Sequence, residues 1–364
     1  MKITVYAISK NEAKFAARWA ESMREADEIV VLDTGSTDDT VRILTDAGVR
    51  VESAIIDPWR FDVARNESLK LVSDDTDVCV CTDIDEVFEP GWRAALEKAW
   101  TPGSVQGRYR YIWSHSPDGK PGVEFYAEKV HALNGFRWIN PVHEVLACSL
   151  PVRKIATLTG VTLHHYPDDT KSRAAYLPLL ELAVKEDPTN DRNSHYLGRE
   201  YYFRGRYDDA IKELRRHLSL KTATWTDERA ASMRYIARSC LALNRRDEAV
   251  GWYLRAIAEA PGVREAAVEL GRTLYDDGNY YGAIYFLGKA LTVKNRSNSY
   301  INDPDCWNAL PYDLLSLSYY FIGRYAEAVA ASDEAIALSD EKRLKTNRGF
   351  FVAALEKSKK PPEE

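Results

Sequence analysis

A strand-like run that ends in three acidic residues constrains this chain more than any other stretch. Residues 78–82 alternate apolar and small side chains, and acids follow at positions 83, 85 and 86. In an extended chain, residues two apart point to the same side, so Asp83 and Asp85 are predicted to face one site while Ile84 points away. Paired carboxylates at the end of a buried strand are typical ligands of Mg²⁺ or Mn²⁺, which also bind water and substrate phosphates. A simple acidic turn is the alternative.

The composition indicates a folded protein with room for two domains. The chain has 364 residues, of which 45% are hydrophobic and 29% charged, so each half is large enough to bury its own core. No apolar run approaches the roughly 18 residues that a membrane-spanning helix needs, and the N-terminus begins with a strand pattern instead of a signal peptide. The net charge of −6 makes nucleic acid a less expected partner. The five cysteines lack C-x-x-C spacing, so we expect reduced thiols and a cytoplasmic location.

The first half alternates strand and helix patterns. Strand patterns at residues 3–8, 28–32, 49–56 and 78–82 are separated by helical patterns that begin near residues 12, 40 and 61. This order predicts an α/β domain with a mostly parallel sheet and helices on both faces. Ligands of such sheets bind beyond the carboxyl ends of the strands. Asp33 follows the second strand and is therefore expected to lie near Asp83 and Asp85. Neither G-x-G-x-x-G nor a P-loop is present.

Four short motifs, taken in order, resemble those of family-two glycosyltransferases with the GT-A fold. The motifs are residues 8–12 (ISKNE), 32–38 (LDTGSTD), 64–66 (ARN) and 82–86 (TDIDE). The resemblance extends over residues 1 to about 165. It implies a nucleotide-activated sugar as donor, and a UDP-sugar is favoured. It also implies that Mn²⁺ or Mg²⁺ takes part.

The resemblance assigns roles by position. Asp33 would contact the base or ribose of the nucleotide, and Arg65 and Asn66 would lie near its diphosphate. Asp83 would hold the sugar-nucleotide and, together with Asp85, the metal ion. A carboxylate in a glycine turn can accept hydrogen bonds from a nucleotide, and an arginine can bind diphosphate oxygens bidentately. The alternatives are that Asp33 caps the following helix and that Arg65 is a solvent-exposed helix charge.

Further candidates follow towards the end of the domain. In the family an acidic tripeptide supplies the base and a His-Tyr pair closes the domain, which nominates Glu144 as base and His165 as a further metal ligand. A partly buried carboxylate suits proton transfer, and neutral imidazole is an acceptable ligand. Lys129 is a weaker candidate for neutralising the diphosphate. Glu144 could instead pair with an arginine, His143 could be structural, and His164 competes with His165.

The second half is helical throughout and repeats. Equivalent alanines at 210, 249, 283 and 328 are separated by 39, 34 and 45 residues, and the frame around them resembles tetratricopeptide repeats. Three or four stacked repeats share one core. The sequence therefore predicts a GT-A domain at residues 1–170 and a tetratricopeptide-like array at residues 171–364. The array would present the acceptor or pair two copies of the chain as a homodimer.

Together these features predict a metal-dependent, inverting glycosyltransferase, with hexosyl transfer favoured and a protein side chain as acceptor. A glycan, a lipid or a modified DNA base remains an alternative acceptor. A non-catalytic repeat scaffold that only binds a nucleotide-sugar is an alternative of another class. A nucleotidyltransferase is disfavoured, because the glycine-rich basic loop usual after the first strand of that group is missing.

Overall fold

The computed structural model describes residues 1–116, 119–168, 176–297 and 299–359. The chain divides into two compact units. The first runs from Met1 to Glu186 and the second begins at Asp187. The helix Tyr176–Glu186 thus groups with the first unit, whereas the sequence pattern places the domain border before it, at residue 170.

The first unit is an α/β domain, as predicted. Its strands are β1 (Ile3–Ser9), β2 (Glu28–Asp33), β3 (Arg50–Ser53), β4 (Val78–Asp83), β5 (Glu86–Phe88), β6 (Gln106–Ile112), β7 (Glu124–Ala132), β8 (Phe136–Ile139), β9 (Val145–Cys148) and β10 (Ile155–His165). Its helices are α1 (Ala13–Met23), α2 (Thr40–Asp46), α3 (Phe61–Leu69), α4 (Trp92–Ala99) and α5 (Tyr176–Glu186).

Eight strands form one sheet in the order β3-β2-β1-β4-β7-β6-β10-β5. The pairs β1/β2, β1/β4, β2/β3 and β6/β10 are parallel. Strand β7 runs antiparallel to both β4 and β6, and β5 runs antiparallel to β10. The predicted parallel arrangement therefore holds for the first four strands, and the later strands make the sheet mixed. Strands β8 and β9 form a separate antiparallel pair.

Alternating side chains of the central strands fill a core on each face of the sheet. Val78, Val80 and Ile84 belong to one hydrophobic cluster, while Cys79 and Cys81 belong to the other. Ile84 therefore points away from the acids, as the spacing predicts. Strand β4 ends at Asp83, however, and Asp85 lies in a turn, so the extended spacing does not continue to Asp85.

The second unit is all-helical, as predicted. Its helices are α6 (Asp191–Phe203), α7 (Tyr207–Ser219), α8 (Thr226–Ala242), α9 (Arg246–Glu259), α10 (Glu265–Asp276), α11 (Tyr280–Thr292), α12 (Leu310–Phe321), α13 (Tyr325–Leu338) and α14 (Lys342–Ser358), with a short 3₁₀ helix at Pro304–Trp307. The four repeat alanines are fully buried. None of the helices in the described ranges combines the length and the apolar composition that crossing a bilayer requires.

Glycines at equivalent positions of two repeats allow paired helices to approach closely. A Cβ added at Gly198 would lie 2.5 Å from Leu214 Cγ, and one added at Gly271 would lie 2.6 Å from Leu287 Cγ. Real Cβ atoms do not come so near to other atoms, because protein interiors are close-packed. Glycine at these positions is therefore a packing requirement of the helix pairs α6/α7 and α10/α11.

This packing predicts the cost of adding one methyl group. Gly271→Ala should lower the free energy of unfolding by about 1–3 kcal/mol, because Leu287 has to move. The control Gly288→Ala, in helix α11, adds a Cβ with nothing within 4 Å. It should be neutral or stabilise by up to about 1 kcal/mol through helix propensity. Urea unfolding followed by circular dichroism compares the two, and equal effects would contradict the packing argument.

Candidate functional site

The carboxyl ends of three neighbouring strands bring the first candidates together. In the sheet register, Ser9 of β1 pairs with Asp33 of β2, and Ile8 of β1 pairs with Asp83 of β4. The two aspartates therefore flank the end of β1, as expected for strand ends of a parallel sheet.

Asp33 organises its own turn. The side chain is buried, and Oδ1 accepts a hydrogen bond from Ser9 Oγ at 2.9 Å and another from Ser36 Oγ. Oδ2 accepts from the backbone N–H groups of Gly35 at 3.1 Å and Ser36 at 2.9 Å. A carboxylate has about four acceptor positions, and these bonds use them. A nucleotide that contacts Asp33, as the sequence predicts, has to replace one of these bonds.

The loop after β1 is bonded to the same turn. Asn11 donates its backbone N–H to Ser36 Oγ at 2.8 Å, and its side-chain oxygen accepts from the backbone N–H of Thr37 at 2.7 Å. Asn11 has a φ of 55°, in the left-handed region where asparagine is among the favoured non-glycine residues. The first two sequence motifs thus form one hydrogen-bonded unit.

Arg65 lies in the interior of the first unit. The alternative interpretation of this residue, a solvent-exposed charge on a helix, is therefore wrong. Only 4% of its surface is exposed. Its Nη2 donates to Asp83 Oδ1 at 2.7 Å, and its Nε donates to Glu144 Oε1. Burial alone would lower the pKa of Arg65, but the charges of Asp83 and Glu144 outweigh it and raise the pKa well above its usual value.

Lys129 forms the second cationic contact of Asp83. Its Nζ lies 3.1 Å from Asp83 Oδ2 and 2.9 Å from Glu86 Oε1. Burial disfavours ionisation of Asp83, but the adjacent Arg65 and Lys129 hold the pKa of this carboxyl well below its usual range. Both oxygens of Asp83 are therefore engaged by cations of the protein.

Glu86 is a site residue to which sequence reasoning assigned no role. It is fully buried, and it accepts hydrogen bonds from the backbone N–H of Asp83 at 2.9 Å and from the Tyr111 hydroxyl at 2.8 Å. Burial is the main reason why the pKa of Glu86 is raised. In the sequence, only its position directly after the predicted acid pair indicated a role for Glu86. Its burial depends on Tyr111 and Lys129, which lie far away in the sequence but contact it in the fold.

Asp85 and His165 form a second, separate pair. His165 Nε2 lies 3.3 Å from Asp85 Oδ2, and His165 Nδ1 lies 2.9 Å from the carbonyl oxygen of Trp113. A carbonyl only accepts, so Nδ1 carries a proton and Nε2 faces the carboxylate. Two lone pairs at this distance repel unless a proton or a metal ion lies between them. The pair therefore suits a proton in the metal-free protein and, in its place, a divalent cation.

The structure places His165, and not His164, beside Asp85. The neighbouring His164 lies 3.0 Å from His115 through Nδ1 and 3.0 Å from Glu89 through Nε2. Consecutive strand residues point to opposite sides, which explains why the two histidines have different partners.

Two candidates make structural contacts. Asn66 Oδ1 accepts from the backbone N–H of Trp138, and Asn66 Nδ2 donates to the Trp138 carbonyl, both at 2.9 Å. This pair of bonds attaches α3 to β8. Glu144 pairs with Arg65, which was one of the alternatives for this residue, and 11% of its side chain is exposed.

The Asp85–His165 pair predicts a specific titration. Burial lowers the pKa of His165, but the hydrogen bond and charge of Asp85 outweigh it, so the pKa is raised. The protonated pair therefore stabilises the fold at low pH, and this contribution is lost as the pH rises through the raised pKa. Asp85→Asn should lower the pKa of His165, measured by NMR titration of metal-free protein. The control Glu89→Gln, next to His164, should leave it in place, and a similar fall in both variants would contradict the pairing.

Comparisons with known proteins identify a family match within the first unit. The model of glycosyl transferase family 2 matches residues 4–144. An uncharacterized glycosyltransferase of Rickettsia felis is 44% identical over 59 residues, which is 16% of this chain and 20% of the relative. A second, of Rickettsia conorii, is 42% identical over 59 residues, again 16% and 20%. The matched segment thus spans about a fifth of the length of these curated relatives.

Solved structures similar to part of the chain include tetratricopeptide-repeat proteins. A MamA protein is 22% identical, with 46% of this chain and 82% of that chain covered and a TM-score of 0.36. The C-terminal part of a TPR repeat-containing protein from Cytophaga hutchinsonii is 17% identical, with 52% of this chain and 69% of that chain covered and a TM-score of 0.41.

Residues 4–144, which contain Asp33, Asp83 and Asp85, form a glycosyl transferase family 2 domain.

Proposed function

We propose that this chain is a metal-dependent glycosyltransferase that moves a sugar from a nucleotide-sugar, with a UDP-sugar favoured, to an acceptor. The observation that carries the proposal is the Asp85–His165 pair, next to the network of Asp83 with Arg65 and Lys129. This arrangement lies at the strand ends of a domain that matches glycosyl transferase family 2.

Asp85 and His165 are the residues that would hold the cation. Within the described part of the chain, the Asp85 carboxylate contacts His165, while both oxygens of Asp83 are already paired with cationic side chains. An imidazole ligand favours Mn²⁺ over Mg²⁺, which prefers an all-oxygen shell. When bound, the cation would offset negative charge on the departing nucleoside diphosphate.

The two cationic side chains of the site, Arg65 and Lys129, have different roles in this proposal. Arg65 is 5% exposed in its side chain and donates to Asp83 and Glu144, so it is a positioning residue. Lys129 is 23% exposed in its side chain and reaches the same carboxylate from β7, the strand that pairs with β4. Lys129 is therefore the better placed of the two to contact a diphosphate directly.

Glu144 is proposed as the base. In an inverting transfer the acceptor hydroxyl or thiol attacks the anomeric carbon, the bond from that carbon to the diphosphate oxygen breaks, and the acceptor proton moves to the base. Arg65 binds Glu144 through Oε1, so Oε2 is the oxygen proposed to receive the proton. The guanidinium also holds the carboxylate in one orientation, which is what proton transfer requires.

A protein side chain is the proposed acceptor, with the helical repeats binding the acceptor protein or a second copy of the chain. Stacked helix pairs provide an extended surface that is suited to protein partners. The net charge of −6 makes an anionic polymer a poorer match. A non-catalytic nucleotide-sugar sensor is the competing function, and it predicts donor binding without hydrolysis or transfer.

The metal proposal predicts how UDP binds. Calorimetry should show tighter UDP binding in Mn²⁺ than in EDTA for the unchanged protein, because a bound cation would offset the charge of the diphosphate. Asp85→Ala should remove that difference while the fold is retained. Glu89→Gln removes a nearby carboxylate that pairs with His164, and it should keep the metal dependence. Equal UDP affinity with and without metal in the unchanged protein would contradict the metal site.

The base proposal predicts a selective loss of transfer. Glu144→Gln keeps the shape but cannot accept the proton, so transfer from a labelled nucleotide-sugar should fall roughly 10²- to 10⁴-fold with donor affinity nearly unchanged. Glu67→Gln, an exposed change that affects a pair with Lys70, should retain full transfer. The labelled product should be destroyed by protease and survive nuclease and lipid extraction. Near-normal transfer by Glu144→Gln would return Glu144 to a structural pairing role.

A further inference from the structure

Three potential metal ligands from three different helices meet in the second unit. Asp191 is the first residue of α6, His217 lies in the last turn of α7, and Glu228 lies in the first turn of α8. One ligand atom of each lies within 4.8 Å of the others. None of the residues proposed for the donor site takes part, so this cluster is independent of the proposed function.

His217 carries a buried ring nitrogen that has no hydrogen bond. The side chain is fully buried, and within the described residues its Nε2 has no hydrogen-bond partner. That nitrogen nevertheless lies only 3.4 Å from Glu228 Oε1. A buried polar atom without a partner is unfavourable, and this one faces the carboxylate of a residue that is itself only 4% exposed.

A shared serine hydroxyl indicates how the proton on His217 can be placed. Ser232 Oγ lies 2.9 Å from His217 Nδ1 and 2.7 Å from His195 Nδ1. A hydroxyl has one proton, so it can donate to only one of the two rings, and the other ring donates its N–H to the oxygen. When His217 is the ring that donates, its Nε2 presents a lone pair towards Glu228. A cation between Nε2 and the carboxylate would then give Nε2 the partner that it lacks among the described residues.

The neighbouring His195 can accept a hydrogen bond from Ser232. It is fully buried, and its Nδ1 lies 2.7 Å from Ser232 Oγ. The Ser232 hydroxyl is then free to donate to His195 Nδ1 while it accepts from His217 Nδ1. Such a hydrogen bond from the far ring nitrogen is the usual way in which a protein orients a metal-binding histidine.

The spacing of one donor pair in this cluster fits zinc. Two ligands bound at about 2.0–2.1 Å in tetrahedral geometry lie about 3.3–3.4 Å apart, and His217 Nε2 and Glu228 Oε1 are separated by 3.4 Å. We propose that Asp191, His217 and Glu228 bind one Zn²⁺ ion, with water in the fourth position. The two carboxylates offset the charge of the ion. The ion would crosslink helices α6, α7 and α8 and so stabilise their packing.

The test uses the full chain with Asp85→Asn, so that the proposed cation site of the first unit does not contribute. Competition with a coloured chelator should show one Zn²⁺ per chain, and Zn²⁺ should raise the melting temperature, because a ligand that binds the folded state stabilises it. Adding Asp191→Asn or Glu228→Gln should weaken Zn²⁺ binding at least about ten-fold. Adding Asp227→Asn, a neighbouring first-turn acid outside the cluster, should change it less than about two-fold.

Co²⁺ provides a second readout, since a tetrahedral site gives it a visible absorption band that His217→Gln should abolish. If His217→Gln does not fold, Asp191→Asn decides, because Asp191 is only half-buried at a helix end. The proposal is overturned if the Asp85→Asn chain binds no Zn²⁺. It is equally overturned if Asp191→Asn weakens Zn²⁺ binding no more than the control Asp227→Asn does.

Discussion

The buried guanidinium of Arg65 is the interaction on which the candidate site depends. Removing a charge from water costs several kcal/mol unless partners compensate, and here Asp83 and Glu144 do so from two directions. Helix α3, the end of β4 and the segment before β9 therefore have to come together for Arg65 to be buried. Trp138, whose ring lies 5.2 Å from the guanidinium, adds a cation–π contact on the same side.

Because Asp83 pairs with the buried Arg65, the two aspartates of the acidic motif have different surroundings. Asp83 is neutralised by protein cations, whereas Asp85 faces an imidazole whose proton position is set by the Trp113 carbonyl. Asp83 therefore lies between Arg65 and Lys129, whereas Asp85 contacts His165, and that second pair is the one proposed to hold the cation. The short turn at residues 84–85 makes this possible, because it redirects the chain while Ile84 stays in the core.

Buried polar groups also shape the helical unit. Its helix pairs pack through small residues, with Gly198 against Leu214 and Gly271 against Leu287, which explains the repeat pattern but not the polar cluster at the first repeat. There, Ser232 lies between two buried histidines. Packing alone does not require such a cluster, and fully apolar side chains would avoid the cost of burying it. Within the described residues, the buried Nε2 of His217 has no hydrogen bond, and this is what suggests a ligand.

The sequence by itself determined the architecture: an α/β domain followed by helical repeats, with Asp33 and Asp83 at strand ends and Ile84 in the core. These features follow from local periodicity and from the order of strands and helices, which the chain carries in its residues. Only the tertiary structure decided that Arg65 is buried, that Glu144 pairs with it, that Glu86 joins the site, and that His165 faces Asp85. It also decided that Asp191, His217 and Glu228 meet. Contacts between residues far apart in the chain depend on how the elements pack in three dimensions, and a single sequence has no local pattern that records them.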